Sequence, residues 1–240
     1  MHISTKELRQ MANDVDDLQR DSMRTLREEL EEVHYGETAQ ILRNSRRGFL
    51  KKSAIGGALV TVGSSMIPIT RFLPSAGAQE LTDGTIAAFA ESVELAAVAA
   101  YTVAAESGKL DAAVVEVGTM FAGHHQEHAG AFASLSGGAA TGTPNATVLA
   151  EFGPLLQAAP DQAALLEIAF GIEQAAAATY LFALGALQDA GAAAATATVL
   201  PVESQHAVVL GTALGKSFDE FMPSFETADA ALNPADFPIS

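Results

Sequence analysis

A pattern of metal-ligating residue types occurs twice in this chain, and the repetition restricts the folds that could use it. Glu94 is followed seven residues on by Tyr101, and farther along His125 is followed three on by His128. In the second copy Glu173 precedes Tyr180 by seven, and Glu203 precedes His206 by three. Corresponding positions are offset by 79, 79, 78 and 78 residues. At about 100° per residue, a seven-residue step along an α-helix returns to within about 20° of its start, and a three-residue step lands within about 60°. Each pair therefore shares a helix face, and four helices facing one another would bring the two copies together.

The composition favours that arrangement. Alanine dominates, 49% of residues are hydrophobic, aromatics are only 6%, and Trp is absent. Ala is the best helix former, whereas strands prefer β-branched and aromatic residues, so the chain reads as all-α. With no Cys there is neither a disulfide framework nor a thiolate site, and any metal must be held by His, Asp or Glu. The spacing predicts helix A over Asp83–Ser107 and helix B over Asp111–Leu135, joined by Ser107-Gly108-Lys109. It predicts helix C over Asp161–Ala190 and helix D over Ala192–Lys216, joined near Gly191. Each short turn makes an antiparallel hairpin. Between B and C, the 25 residues Ser136–Pro160, rich in Gly, Pro and Thr, are long enough to traverse the bundle and leave B and C parallel. An antiparallel four-helix bundle with one long B–C crossover is the ferritin-like topology. Pro201 is expected to kink helix D or mark its true start. Beyond Lys216, Phe218, Phe221, Phe225 and Phe237 read as a tail, residues 217–240, packed back on the bundle.

Charge divides the chain. Residues 1–78 hold 11 Lys/Arg against 10 Asp/Glu, whereas residues 79–240 hold only Lys109 and Lys216 against 19 carboxylates. So acidic a surface repels nucleic acid and anionic lipid, and nucleic acid is excluded as a partner. Ser45-Arg46-Arg47-Gly48-Phe49-Leu50-Lys51 matches the twin-arginine export signature, and a mildly apolar run from Ala54 to Ile69 follows it. Ala76-Gly77-Ala78 supplies a small-residue cleavage site, which predicts a signal peptide over 45–78 cut after Ala78. The expected partner is the twin-arginine translocation machinery, and the expected location is the periplasm, cell envelope or exterior. Gly56, Gly57, Gly63 and Pro68 weaken the run as a membrane span, and no stable span is expected in the mature chain, residues 79–240. The signature begins late, behind an extension over residues 1–44. Thr5–Val33 reads there as an amphipathic helix: an extended signal region, a docking helix or a product of a misassigned start codon.

The four His beyond Ala78 are His124, His125, His128 and His206, and all fall at or beside the repeated pattern. Glu94 and Glu173 lie in apolar stretches, where an uncompensated carboxylate is costly and a cation is one of few remedies. These residues resemble the exported ferritin-like domain family, in which a Glu with Tyr seven residues on and an E-x-x-H occur twice over four helices. The resemblance covers about Thr85 to Gly215, with Glu203-Ser-Gln-His206 as the last-helix motif. It implies a site of one or two ions, iron first, with manganese or zinc as alternatives. Glu94, His125, His128, Glu173, Glu203 and His206 would be its ligands, and Tyr101 and Tyr180 would donate to the ligating carboxylates. One position departs, because His125 stands where the family has a Glu. A carboxylate can bridge two ions about 3.5–4 Å apart, whereas an imidazole binds one. A single ion or an asymmetric pair is therefore expected. His124 and His128, four apart, also form a two-histidine pair that a zinc protein could use.

The implied activity is iron or manganese redox chemistry, such as Fe²⁺ oxidation or consumption of peroxide or dioxygen. A non-catalytic exported protein with an envelope or stress role and a degenerate site is the alternative. A homo-oligomer is compatible with either, and no phosphate loop, nucleotide fingerprint or nucleophile motif points to a hydrolase or kinase.

Overall fold

The computed structural model describes residues 4–32, 81–223 and 226–239; the export signature, its apolar run and Phe225 lie outside these. Among the described residues the chain is all-helical. Helix α1 spans Thr5–Glu32, α2 Asp83–Glu106, α3 Ala112–Leu135, α4 Ala146–Ala158, α5 Gln162–Ala186, α6 Ala190–Leu214 and α7 Phe218–Phe221. Helices α2 and α3 form one closely packed hairpin and α5 and α6 the other. Alanines such as Ala88, Ala96, Ala177, Ala178 and Ala195 are buried between them, and such small side chains let helix backbones approach closely.

Local chemistry fixes where the helices begin. Thr82 and Thr85 form a reciprocal capping box at the start of α2. Asp161 Oδ1 accepts from the Ala164 N–H at 2.9 Å to start α5, and Asp189 Oδ1 accepts from the Ala192 N–H at 2.9 Å to start α6. The α5–α6 turn lies at Leu187–Asp189, a few residues ahead of its expected place near Gly191. Besides the Asp189 cap, the Asp83 carboxylate accepts from the Gln188 N–H at 2.7 Å and the Asp189 N–H at 2.5 Å. These bonds tie the turn to the start of α2, and Gly191 falls inside α6. That helix runs unbroken through Pro201, which is exposed and removes the bond its N–H would have given to the Ala197 carbonyl.

The crossover contains a helix that composition concealed. In α4, Val148, Phe152 and Leu156 are buried at four-residue steps despite Gly153-Pro154. Asn145 starts it: Oδ1 accepts from Thr147 N–H and Val148 N–H at 3.1 Å each, while Nδ2 donates to the Phe237 carbonyl at 3.0 Å. One buried side chain thus joins the crossover to the tail. Its backbone N–H donates to the Ser92 carbonyl of α2 at 2.8 Å. The tail folds back on the bundle through Phe221, Leu232 and Phe237, whereas Phe218 remains exposed.

Helix α1 packs on α3 and α6 as a fifth helix. Leu8, Ala12 and Val15 are buried against Phe121, Val202 and Leu210, and Met23 packs with Phe132 and Val199. Leu18 lies off this stripe and is exposed. Helices α2 and α5 are long and apolar enough to cross a membrane by length and composition; they are also the helices that carry Glu94 and Glu173 into the bundle interior.

Candidate metal centre

Each of the four bundle helices delivers part of the repeated pattern to one interior point. Glu94 comes from α2, His125 and His128 from α3, Glu173 from α5, and Glu203 and His206 from α6; none is more than 2% exposed. Two groups of side chains lie close enough to hold a metal ion. One is Glu94, His125, His128 and Glu203, and the other is His125, Glu173, Glu203 and His206, each with its ligand atoms within 4.8 Å of one another. His125 and Glu203 belong to both.

The tyrosines tie the two copies together crosswise. The Tyr101 hydroxyl of α2 donates to Glu173 Oε1 of α5, and the Tyr180 hydroxyl of α5 donates to Glu94 Oε1 of α2. Residue 94 thus pairs with 180 and 101 with 173, which sets α2 and α5 antiparallel. Because α2 and α3 are joined by a tight turn, α3 and α5 run parallel, as the crossover length predicts. Aromatic packing orients the rings further. Tyr180 stacks on Phe132 with centroids 5.4 Å apart, and the fully buried Phe121 stacks on His206 at 3.9 Å.

Three carboxylates and three imidazoles in so small a volume set one another's charge. Burial alone would raise the Glu94 and Glu173 carboxyls, but His125 with His128, and His125 with His206, hold both below the usual range, Glu173 well below. Burial alone would lower the imidazoles, but the facing carboxylates prevail: His125 is raised well above its ordinary value, His206 is raised, and His128 rises to about 9. Burial and the neighbouring carboxylates raise Tyr101 well above its ordinary value, so it stays a phenol that donates. His125 is the most engaged imidazole, with Nδ1 2.6 Å from Glu94 Oε2 and Nε2 3.2 Å from Glu173 Oε1. It lies between two carboxylates as a cation would.

Glu203 and His128 are different. His128 Nδ1 lies 2.9 Å from Glu203 Oε1 and His206 Nδ1 lies 3.4 Å from Glu203 Oε2, so these atoms face one another as ion pairs although none of the His128 or Glu203 contacts has good hydrogen-bond geometry among the described residues. In the metal-free chain protonated imidazoles balance these carboxylates, and a metal ion would take the place of those protons on the same atoms. Mixed carboxylate and imidazole donors suit iron, manganese or zinc, so the residues present fit the metals that the pattern implies.

The structure brings all six predicted ligand residues and both tyrosines to one place, and it separates the two neighbouring histidines. His125 joins both groups; His124 joins neither. His124 Nδ1 lies 2.9 Å from His206 Nε2, and His124 Nε2 lies 3.1 Å from Asp16 Oδ1 of α1. Burial, then the neighbouring His206, lowers His124 to about 4, so it is neutral near pH 7. Asp16 escaped the sequence pattern because it lies outside the repeat. The available signal was an acidic residue beside the α1 stripe of Leu8, Ala12 and Val15.

A family model described as a ferritin-like domain matches residues 82–216, over half the chain. No curated protein and no solved structure matches it.

Proposed function

The chain belongs to the ferritin-like domain family, and from that premise we propose that its buried Glu/His centre binds iron or manganese. Its activity is redox chemistry of the kind that oxidises Fe²⁺ or consumes peroxide or dioxygen. The observation that carries this reading is the pair of fully buried Glu/His groups, each with its ligand atoms within 4.8 Å of one another. Glu94, His128, Glu173, Glu203 and His206 are the ligands, with His125 between the two halves. When bound, the metal supplies one-electron chemistry that side chains alone lack. The protein's own part is to hold the donors in place. Tyr101 and Tyr180 hold Glu173 Oε1 and Glu94 Oε1, so that Glu173 Oε2 faces His206 and Glu94 Oε2 faces His125, and Phe121 and Phe132 hold the rings from behind. An apolar cavity of about 20 Å³, lined by Ala97, Phe152, Ile172 and Leu232, borders Glu94 and His125. It has room for a molecule about the size of water.

Export completes the proposal. The Ser45–Lys51 signature, the apolar run and Ala76-Gly77-Ala78 stand in the order that a twin-arginine signal requires. In this reading residues 45–78 are the signal, the domain over 79–216 acts outside the cytoplasm, and residues 217–240 are its packed tail. A second reading is favoured by His125. With both nitrogens facing carboxylates, it can neutralise Glu94 and Glu173 itself, leaving a non-catalytic exported protein with one metal or none.

The two readings separate on metal content. Protein expressed with its own signal in medium supplemented with iron and manganese should carry one or two ions per chain and should oxidise Fe²⁺ or consume peroxide. Less than about 0.2 ion per chain would overturn the first reading. Bound metal without turnover would select the second.

A further inference from the structure

We propose that helix α1, outside the matched domain, completes the metal centre: Asp16 acts through His124 to hold His206 with its Nδ1 turned to the ligand cluster. This rests on the metal-binding reading above and adds a positioning residue from a different part of the chain. The chemistry runs in one direction. An ionised Asp16 can only accept, so the nitrogen 3.1 Å away, His124 Nε2, carries a proton. In a neutral imidazole the other nitrogen is then a lone pair, so His124 Nδ1 accepts. The atom facing it at 2.9 Å is His206 Nε2, which must therefore be the protonated, donating nitrogen. His206 Nδ1, 3.2 Å from Glu173 Oε2 and 3.4 Å from Glu203 Oε2, is the nitrogen left for a metal ion. Without the acceptor on α1, His124 can carry its proton on either nitrogen, and the tautomer of His206 is no longer imposed.

Two further observations support a built contact. The α1 face that meets the bundle is not merely apolar: one turn beyond Asp16, Gln19 is 1% exposed, and its amide atoms have no partner among the described residues. The second oxygen of Asp16 is held by Arg20 at 2.9 Å, which keeps the first aimed at His124. Asp16 and His206 also stand on opposite sides of the Ser45–Lys51 signature. A cut after Ala78 would therefore remove the acceptor, and the uncut and cut chains would hold their metal differently.

The test uses the full chain, its Asp16→Ala variant and its Asp16→Asn variant, which keeps an acceptor oxygen. In the ¹⁵N-labelled metal-free chain, the imidazole Nε2 protons of His124 and His206 should both exchange slowly with water. They should do so in Asp16→Asn and be lost or broadened in Asp16→Ala. Anaerobic Fe²⁺ titration should show Asp16→Ala binding about tenfold more weakly, the low end for loss of an outer-shell partner, with Asp16→Asn near the parent. Hydrogen exchange over residues 5–21 shows whether α1 stays docked in each. A parent chain whose His206 is protonated only on Nδ1 would overturn the proposal, as would an Asp16→Ala chain with unchanged Nε2 protons and affinity. A parent chain that shows both protons yet binds no Fe²⁺ would overturn the metal-binding reading instead.

Discussion

Replacing Tyr101 and Tyr180 by Phe, singly and together, probes the crosswise bonds with the least disturbance. Phe keeps the ring contacts of Tyr180 with Phe132 and of Tyr101 with Phe121 and deletes only a hydroxyl that donates to a buried carboxylate. A hydrogen bond to a charged group contributes about 1.5–3 kcal/mol, so each single variant of the metal-free chain should lose about 2 kcal/mol, near 30-fold in the unfolding constant. The two losses should not add. Glu94 and Glu173 are both held by His125, and groups within one network couple by about 0.5–3 kcal/mol. With either tyrosine gone the imidazole can move toward the carboxylate that lost its donor, but it cannot serve both at once, so the double variant should lose clearly more than about 4 kcal/mol. Urea unfolding followed by circular dichroism measures all four chains, and Fe²⁺ competition on the same samples should show weakened binding in each variant. Single variants within about 0.5 kcal/mol of the parent, with unchanged metal affinity, would refute the view that these hydroxyls hold the ligand carboxylates.

The metal-free chain should be most stable at mildly acid pH. His128 is raised from 6.5 to about 9, so its contribution is complete below about pH 6.5 and lost as pH climbs through about 9. Glu94 and Glu173 are lowered from 4.5, so theirs is present above about pH 4.5 and lost as pH falls through their depressed values. Thermal unfolding between pH 4 and 10 should show that plateau, and bound metal should flatten its alkaline side. Asn145→Ala removes the α4 cap and the bond to the Phe237 carbonyl; a loss of about 2 kcal/mol in urea is expected with metal affinity unchanged. Gly211→Ala places a Cβ within 2.9 Å of the Phe221 side chain, so proteolysis should cut the tail faster and stability should fall by about 1–3 kcal/mol.

Periodicity made the site legible because helical spacing and ligand chemistry coincide at the same residues. The seven- and three-residue steps place Glu94, Tyr101, Glu173, Tyr180, Glu203 and His206 on inward faces, and the structure puts all six side chains in the interior. Spacing along one helix carries no information about partners on another. That each tyrosine serves the opposite glutamate, and that His124 turns to α1 while His125 turns to Glu94, depends on how the helices are set against each other. The crossover helix was hidden by Gly153-Pro154, although Val148, Phe152 and Leu156 already mark its buried stripe. The turn before α6 was misplaced because a glycine is a strong local cue, whereas the Asp83 carboxylate that fixes the turn lies more than a hundred residues away. Helix α1 was legible as an amphipathic helix, but its docking face was not, because that requires the groove between α3 and α6 that receives it.

The central claim is that Glu203 and His128, buried among the other carboxylates and imidazoles, bind a metal ion. Anaerobic Fe²⁺ titration of the metal-free full chain, alongside Glu203→Ala and His128→Ala, tests it directly. The parent should bind one or two equivalents saturably. Each variant should lose most of that binding and, without metal, should be less stable than the parent near neutral pH, since one partner of a buried ion pair has been removed. Parent-like binding in both variants, or no binding by the parent, would contradict the account.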